Sequence, residues 1–371
     1  MLALPFLFYY SRKEKYKDAI PSRFFLKNNP PLKPNSIWFH GASLGEIASL
    51  KPIIEHFKND FNIEITTITN TGFNQAKKLV KNPRFLPFEI FAPFWVKRQK
   101  LFVILEAELW YFMILFAKLK GAKTILLNAR ISDRSYHKYL KVKWFYRFIF
   151  SYIDIVYTQT QKDAKRLEEI GAKNIEVLGN IKLIKMPQTT NNYQKPNILT
   201  VVGASTHEGE ENLILDSFIN LKGKAKLIIV PRHPERFEDV YITMSQYVSK
   251  HNLSISRFSE DKSFNSDLIL IDTMGELINI YAISDIVVLG GSFAEVGGHN
   301  PIEPAFFNTK IISGKKIFNQ EELYSCVDNI KMIENNQLTQ TLKSYSKLNK
   351  TNINQSVDIT SFYKIIENTK N

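Results

Sequence analysis

The chain alternates short apolar runs with amphipathic stretches, and this rhythm occurs twice. In the first half, apolar runs begin at residues 37, 63, 101, 124 and 155, and each precedes a polar turn. A second series begins at residues 198, 226, 268, 286 and 310. Apolar runs that alternate with helical patterns indicate parallel β-sheets covered by helices on both faces. The pattern therefore predicts an α/β protein with two Rossmann-like domains facing across a cleft.

The stretch between the two series is polar and aperiodic, which is typical of a linker. We predict an N-terminal Rossmann-like domain over residues 1–183, a linker over 184–197 and a second such domain over 198–350. Residues 351–371 are predicted to form a C-terminal helix, for which a return to the N-terminal domain is one option. Ligands of open α/β sheets bind beyond the carboxyl ends of the strands, so the loops after the apolar runs should carry function.

Composition narrows the class of protein. The 371 residues are 44% hydrophobic and 23% charged, which excludes bulk disorder. The single cysteine, Cys326, excludes an internal disulfide framework and any multi-cysteine zinc site.

The net charge of +13 is unevenly distributed. Residues 1–183 hold 30 Lys and Arg against 15 Asp and Glu, whereas the remainder holds 19 against 21. This asymmetry indicates either that the first domain meets an anionic surface or substrate, or that it has a lysine-rich solvated surface. No zinc-finger, RNP or helix-turn-helix pattern occurs, so we predict no nucleic-acid partner.

Two segments suggest contact with a membrane surface. Residues 1–10 are apolar and precede a basic cluster, but no apolar run is long enough to span a bilayer. Residues 136–157 interleave aromatic and basic side chains, which suits an interfacial helix on anionic lipid or an ordinary helix packed on a sheet. Together with the charge asymmetry, these segments favour a peripheral membrane protein.

A serine-containing turn follows the first apolar run. Gly41-Ala-Ser43-Leu-Gly45 matches the nucleophile elbow of α/β-hydrolases, which would make Ser43 a nucleophile. Ser43 and Glu46 equally match a capping box, in which both side chains bond helix N-terminal amides. In a third interpretation Glu46 is a general base, because a helix N-terminus favours its charged form. The segment alone leaves all three open.

Charged residues follow two further runs of the first half. Glu106 and Glu108 come directly after residues 101–105, at a position expected to point into the cleft. The segment has no Asp-x-Asp and no nearby histidine, so we predict no metal site there. Arg130 and Arg134 follow the next run and suit the binding of a carboxylate or phosphate.

Four loops of the second half carry groups that suit a nucleotide phosphate. Residues 203–211 place small residues and hydroxyls at a strand-to-helix turn. Two prolines flank the loop that holds Arg232, and residues 272–277 form a further turn. In the fourth loop Asn300 is the predicted N-cap of a helix, with Pro301 at N1 and Glu303 at N3. Because neither G-x-G-x-x-G nor a P-loop occurs, these loops favour a nucleotide-linked donor over dinucleotide or P-loop chemistry.

In their order along residues 37–320, these motifs resemble those of the 3-deoxy-D-manno-octulosonic acid (Kdo) transferases, the GT-B glycosyltransferases of lipid A–core assembly. The matching runs are His40-Gly-Ala-Ser-Leu-Gly-Glu46, Thr66-Thr-Ile-Thr-Asn-Thr-Gly72, Glu106-Ala-Glu-Leu-Trp110, Asn128-Ala-Arg-Ile-Ser-Asp-Arg-Ser135, Gly179-Asn-Ile-Lys182, Ala204-Ser-Thr-His-Glu-Gly-Glu-Glu211, Pro231-Arg-His-Pro-Glu-Arg236, Asp272-Thr-Met-Gly-Glu-Leu277 and residues 290–304.

The resemblance implies an inverting transferase that moves Kdo from CMP-Kdo to a lipid A precursor, lipid IVA, at the cytoplasmic face of the bacterial inner membrane. It implies that Glu46 is the general base and that Glu106 and Lys182 support the transition state. It implies neither a cofactor nor a metal ion, because CMP is a good leaving group. The residues that match CMP contacts are Pro231, Arg232, Met274, Gly275, Glu276, Asn300, Pro301, Ile302 and Glu303.

The sequence departs from the family pattern at several positions. The N-terminal apolar run is short for the family's anchor, and the usual Trp-Pro-Asn is Trp110-Tyr-Phe here. Leu183-Ile-Lys185 replaces the end of the Gly-Asn-x-Lys-Asp motif, and Ser313-Gly-Lys-Lys316 replaces a Gly-Pro-His turn. None of these changes removes a residue with a predicted catalytic role.

Two alternatives of other classes remain. A serine acyl hydrolase would use Ser43 with a histidine and an aspartate, for which His299 and Asp285 are the candidates, but it leaves the four donor-type loops unexplained. A non-enzymatic protein that binds anionic lipid accounts for the basic half only.

Overall fold

The computed structural model describes Arg12 and residues 17–370. These residues divide into two compact units. Unit 1 comprises the described residues up to Lys185 together with those from Ser356 onward, and unit 2 comprises Met186–Gln355. The apolar run predicted to contact membrane at residues 1–10 lies outside the described residues.

Unit 1 is built on a seven-stranded sheet in the order β3-β2-β1-β4-β5-β6-β7. All neighbouring strands are parallel. The strands are β1 (Ile37–His40), β2 (Ile63–Thr67), β3 (Arg84–Phe85), β4 (Leu101–Leu105), β5 (Lys123–Ala129), β6 (Ile155–Thr158) and β7 (Ile175–Val177).

Helices cover both faces of this sheet, so its central strands are apolar at nearly every position. Along β4 all five residues are buried, and alternate side chains enter different core clusters. The helices are α1 (Ala19–Phe25), α2 (Leu44–Ser49), α3 (Lys51–Phe57), α4 (Asn70–Ala76), α5 (Ala92–Trp95), α6 (Tyr111–Leu119), α7 (Asp133–Lys141), α8 (Lys143–Phe150) and α9 (Gln161–Glu169).

Unit 2 repeats the architecture with a parallel sheet in the order β10-β11-β9-β8-β12-β13-β15. Its strands are β8 (Leu199–Thr206), β9 (Ala225–Pro231), β10 (Ile255–Arg257), β11 (Leu268–Leu270), β12 (Ile286–Leu289), β13 (Lys310–Gly314) and β15 (Lys331–Ile333), while β14 (Val327–Asp328) and β16 (Asn352–Ile353) form an antiparallel pair. Its helices are α10 (Glu210–Phe218), α11 (Phe237–His251), α12 (Leu277–Ile283), α13 (Ile302–Phe306), α14 (Glu321–Tyr324) and α15 (Leu338–Lys343). The prediction of two Rossmann-like domains with parallel sheets is thereby confirmed.

Three elements have a form that the apolar pattern did not specify. After β4, helix α6 begins only at Tyr111, because Glu106 has a left-handed backbone with φ of 54° that cannot open a helix. The aromatic segment after residue 136 forms two helices, which meet at Val142. The predicted linker packs on unit 2, since Asn279 Oδ1 accepts a hydrogen bond from the Thr190 amide at 2.8 Å.

The last helix, α16 (Thr360–Glu367), belongs to unit 1. Its buried side chains, Phe362 and Ile366, enter the core cluster that also contains Phe39 and Val103. The ring of Phe362 contacts that of Tyr157 edge-on, with centroids 5.8 Å apart. The core of unit 1 is therefore completed by residues that follow all of unit 2 in the sequence.

No helix within the described part of the chain is long and apolar enough to span a membrane.

We expect Phe362→Ala to lower the free energy of unfolding of unit 1 by about 3–5 kcal/mol, because it opens a cavity in a fully buried cluster. Urea unfolding monitored by circular dichroism measures the loss. The control is Lys364→Ala, which changes an exposed residue of the same helix. Equal stabilities of the two variants would contradict the structural role assigned to α16.

Candidate functional site

The first candidate site lies at the switch point of the unit 1 sheet. Strands β1 and β4 are neighbours there, and the chain leaves them towards opposite edges of the sheet. In open α/β sheets this point is the usual ligand crevice. The first turn of α2, which follows β1, carries Glu46, and the loop after β4 carries Glu106 and Glu108.

Glu46 is held in place by its own loop. Its Oε2 accepts a hydrogen bond from the Ala42 amide at 2.8 Å, and its Oε1 accepts one from the Ser43 hydroxyl at 2.8 Å. The Ser43 hydroxyl also accepts a hydrogen bond from the Glu46 amide at 3.3 Å and so caps α2. This arrangement differs from a reciprocal capping box, because the Glu46 carboxylate bonds the amide that precedes the cap residue.

The geometry gives no support to a serine hydrolase. The Ser43 hydroxyl donates to a carboxylate, and its two candidate partners are engaged within unit 2. Asp285 bonds the Lys195 ammonium at 2.5 Å and the Thr200 amide at 3.0 Å. The Nε2 atoms of His299 and His207 lie 2.8 Å apart.

Burial is the main cause of a raised pKa at Glu46, and the negative charge of Glu106 adds to it. Hydrogen bonds from Ala42 and Ser43 act in the opposite direction, and the pKa rises from 4.5 to about 7. A carboxyl group with a pKa near neutrality is suited to exchange protons at physiological pH.

The structure brings Glu106 and Lys182 together as an ion pair. Lys182 Nζ lies 3.2 Å from Glu106 Oε1, and Arg130 Nε lies 3.4 Å from Glu106 Oε2. The left-handed backbone of Glu106 lets its amide donate to the Leu127 carbonyl at 2.9 Å, which ties the turn to β5. Arg130 thus bonds a carboxylate of its own chain, whereas Arg134 is exposed on α7.

Sequence reasoning missed a histidine beside the second glutamate. His40 Nε2 lies 3.8 Å from Glu108 Oε2, so the expectation of no histidine near this segment is wrong. The cause is the sheet register, which pairs the last residue of β1 with Ile104 of β4. Burial acts to raise the pKa of Glu108, but the bonds and charges of His40, Trp110 and Arg23 lower it overall.

In unit 2, six of the residues predicted to contact CMP line one cavity of about 260 Å³. It opens beside the carboxyl ends of β9 and β11, where ligands of such sheets bind. The six residues are Pro231, Arg232, Met274, Gly275, Glu276 and Glu303. Gly275 has a φ of 91°, a conformation that glycine adopts without strain.

The acidic residues of this cavity have distinct environments. Glu276 Oε2 accepts hydrogen bonds from the Tyr193 hydroxyl at 2.8 Å and from Asn279 Nδ2 at 2.7 Å. Burial raises the pKa of Glu303, although Asn300 and the positive charge of Arg232 oppose the shift. Both carboxyl groups are therefore fixed in place by neighbouring side chains.

The remaining predicted contacts lie in the segment that leads into α13. Helix α13 begins at Ile302, one residue later than predicted. Asn300 still caps it, because its Oδ1 atom accepts a hydrogen bond from the Ile302 amide at 2.9 Å. Asn300 Nδ2 in turn lies 3.3 Å from Glu303 Oε1. Asn300, Pro301 and Ile302 are absent from the lining of the 260 Å³ cavity.

Two further features at the switch point of unit 2 escaped sequence reasoning. The buried Glu210 carboxylate accepts hydrogen bonds from the backbone amides of His207, Gly291 and Phe293. It thereby joins the loops after β8 and β12. The rings of His207 and His299 stack at 5.1 Å, and burial is the main cause that lowers the pKa of His299 to about 4. In the sequence, the stacked pair was indicated only by the presence of a histidine in each of two post-strand loops.

No cluster of three or more His, Cys, Asp or Glu side chains placed to hold a metal ion occurs among Arg12 and residues 17–370.

Comparison with known proteins links this geometry to one family. The family model of 3-deoxy-D-manno-octulosonic-acid transferase (kdotransferase) matches residues 18–184. The Kdo transferase of Haemophilus influenzae is 32% identical in an alignment 341 residues long, which covers 84% of this chain and 78% of that protein. The corresponding enzyme of Chlamydophila psittaci is 30% identical over 83% of this chain and 76% of its own length. A bifunctional glycosyltransferase/methyltransferase of Fusobacterium nucleatum is 32% identical over 82% of this chain. The matched region is about half of that protein.

Two solved structures are similar to this chain to different extents. A UDP-GlcNAc 2-epimerase from Neisseria meningitidis matches 90% of this chain and 94% of its own with a TM-score of 0.51 at 10% identity. A C-terminal CMP-Kdo binding domain from Acinetobacter baumannii is 31% identical over 40% of this chain and 79% of its own, with a TM-score of 0.35.

The two Rossmann-like units with parallel seven-stranded sheets have the fold of the GT-B class, and the Kdo transferase relatives identify the chain as a glycosyltransferase. Within that class the sequence relationship is specific. The chain belongs to the Kdo transferase family.

The raised pKa of Glu46 has a consequence for stability. Between pH 4.5 and about 7, Glu46 keeps its proton in the folded protein and loses it in the unfolded chain. The contribution of Glu46 to the free energy of unfolding is therefore fully present below pH 4.5 and is lost as the pH rises through about 7. We therefore expect Glu46→Gln to become more stable relative to the unaltered protein by about 2 kcal/mol between pH 4.5 and pH 8, after allowance for partial exposure. Urea unfolding at a series of pH values measures this difference.

The matched control is Glu55→Gln on the exposed side of α3. A stability difference for Glu46→Gln that stays constant across this pH range would show that the carboxyl group is not desolvated as described.

Proposed function

We propose that this Kdo transferase uses CMP-Kdo as donor and a phosphorylated lipid A precursor of the lipid IVA type as acceptor, with Glu46 as general base. Family membership supports the transferred sugar, and the named CMP-Kdo binding of the Acinetobacter baumannii domain supports the donor. The single observation that carries the catalytic role is the Glu46 carboxyl group with a pKa of about 7 at the switch point.

In this mechanism Glu46 removes the proton of the acceptor hydroxyl. The resulting oxygen forms a bond to the anomeric carbon of Kdo while the bond from that carbon to the CMP phosphate breaks. CMP leaves with the electron pair, and attack opposite the leaving group inverts the anomeric centre. The proton remains on Glu46, whose ease of protonation at neutral pH suits this step.

Two further groups are assigned by position. Lys182 and Glu106 form an ion pair at 3.2 Å, and Lys182 supplies positive charge that stabilises the anionic groups of the transition state. Arg232 lines the unit 2 cavity and neutralises the leaving phosphate. We propose that these residues and backbone amides take the place of a metal ion.

A peripheral position on an anionic membrane also forms part of the proposal. We define the aromatic face as Ile90, Phe94, Phe112, Trp144 and Phe148, all exposed; Phe94 is 79% and Trp144 73% exposed. These residues lie on α5, α6, α8 and the turn Glu89–Phe91, which contact one another within unit 1. Lys143 and Arg147 directly precede Trp144 and Phe148 in the sequence, and Lys141 ends the preceding helix, α7. Exposed aromatic side chains flanked by cations suit the interface of an anionic bilayer.

We expect the unaltered protein to release CMP from CMP-Kdo in the presence of lipid IVA, and Glu46→Ala to reduce this rate by about 10²–10⁴-fold through loss of the base. Ser43→Ala should keep a measurable rate, because Ser43 only caps α2 and orients the carboxylate. Mass spectrometry of the lipid product identifies the transferred sugar. A larger loss for Ser43→Ala than for Glu46→Ala would contradict the proposed base.

We expect vesicles that contain phosphatidylglycerol to retain the protein in a sedimentation assay, with retention falling as salt rises. The double variant Trp144→Ser and Phe148→Ser should be retained less, because it removes aromatic area from the aromatic face. The control is Ile242→Ser, which changes an exposed apolar residue of unit 2. If retention is unchanged by added salt, by removal of residues 1–10 and by the double variant, this surface is not the membrane contact.

A further inference from the structure

The guanidinium of Arg23 lies at the edge of the carboxylate cluster of unit 1 and is held by its surroundings. Its Nε atom donates a hydrogen bond to the Leu86 carbonyl oxygen at 2.9 Å. Its Cζ atom lies 5.4 Å from the ring centroid of Trp110 and 5.8 Å from that of Phe24, both within the range of a cation–π contact. One backbone bond and two aromatic rings therefore restrict the orientation of this cation.

The two terminal nitrogens of Arg23 are not used by the protein. Within the described residues they make no hydrogen bond and no ion pair. Burial lowers the pKa of Arg23, against the opposing effect of the Glu108 charge, so water solvates this cation poorly. A restrained and poorly solvated guanidinium that presents two terminal nitrogens side by side is suited to bind a phosphate or carboxylate through paired hydrogen bonds.

The other cations of the cluster are already engaged. Lys182 Nζ lies 3.2 Å and Arg130 Nε 3.4 Å from the Glu106 carboxylate. Glu108, the carboxylate that Arg23 influences, instead accepts a hydrogen bond from the Trp110 indole at 2.8 Å. A substrate anion can therefore bind Arg23 without breaking an ion pair, which it cannot do at Lys182 or Arg130.

Arg23 also lies between the carboxylate cluster and the aromatic face. The Arg23 carbonyl oxygen accepts a hydrogen bond from the Phe88 amide at 2.8 Å, and Phe88 directly precedes the turn that carries Ile90. Trp110, which the guanidinium contacts, directly precedes α6, the helix that carries Phe112. A lipid whose acyl chains stay at the aromatic face would bring its headgroup past Arg23 on the way to the proposed base.

We propose that Arg23 binds a phosphate group of the phosphorylated lipid acceptor and thereby positions the acceptor hydroxyl beside Glu46. The proposal rests on the proposed function for the identity of the acceptor. The second oxyanion near the reacting carbon is the carboxylate of Kdo, which belongs to the donor, and the experiment below distinguishes the two sources.

Binding is measured without donor, so that no turnover occurs. We expect nonionic detergent micelles that contain lipid IVA to bind the unaltered full-length protein, and Arg23→Gln to raise the Kd by about 10–100-fold through loss of charge-assisted hydrogen bonds. Arg23→Lys should lie between the two, because it keeps the charge but loses the paired donors. Micelles that contain phosphatidylglycerol instead should bind all three proteins equally. An equal loss on both lipids would mean that Arg23 contacts only the membrane surface and would overturn the proposal.

Steady-state kinetics identify which substrate Arg23 binds. Arg23→Gln should raise the KM for lipid IVA and leave the KM for CMP-Kdo unchanged. A raised KM for CMP-Kdo with an unchanged KM for lipid IVA would assign Arg23 to the donor carboxylate and overturn the proposal. The matched control is Arg98→Gln, which removes an exposed guanidinium before β4, at the end of the sheet opposite the switch point.

Urea unfolding of each variant separates loss of the phosphate contact from loss of the fold. If Arg23→Gln does not fold, Arg23→Lys decides, and a Kd for lipid IVA equal to that of the unaltered protein would overturn the proposal. Absence of Kdo transfer by the unaltered protein would contradict the proposed function, whereas the binding measurement without donor would still test Arg23.

Discussion

The first site depends on one electrostatic constraint, which is the burial of three carboxyl groups beside one another at the end of β1 and β4. Like charges in a poorly solvated site cannot all ionise unless cations compensate them. Glu106 is compensated by Lys182 and Arg130, and Glu108 lies near His40 and Arg23. Glu46 has hydrogen bonds but no ion pair within the described residues, so its burial and, to a lesser degree, the negative charges of Glu106 and Glu108 raise its pKa. The cations of the site lie beside the other two carboxylates and leave Glu46 as the one whose pKa rises to about 7.

Sequence periodicity was sufficient to predict the fold, because the central strands of parallel sheets are buried on both faces and therefore consist of continuous apolar runs. The same logic placed Glu46 and Glu106 beyond the carboxyl ends of β1 and β4, where the structure has them, with Glu46 in the first turn of α2. It could not reveal the proximity of His40 and Glu108, which are 68 positions apart and meet through the register of β1 and β4. Nor could it show the start of α6 at Tyr111, because the left-handed turn at Glu106 has no glycine to mark it.

The two units solve the problem of charge at a switch point in different ways. In unit 1, side-chain cations face the carboxylates, in keeping with the excess of basic residues in the first half of the chain. In unit 2 the buried Glu210 is held by three backbone amides, so it organises two loops without any cationic partner of that kind. Gly290 is required there, because a Cβ atom would lie 2.5 Å from the Ser205 carbonyl oxygen and 2.8 Å from Glu210.

The membership of α16 in unit 1 has a consequence for biosynthesis. Unit 2 is, in sequence, an insertion between the sheet of unit 1 and the last helix that covers it. Domains of nascent chains generally fold in the order in which they leave the ribosome. Here the earlier unit must wait, with the hydrophobic surface beneath Phe362 and Ile366 uncovered, until the later unit has been translated. The core of the amino-terminal unit is thus complete only after the last residues of the chain have been translated.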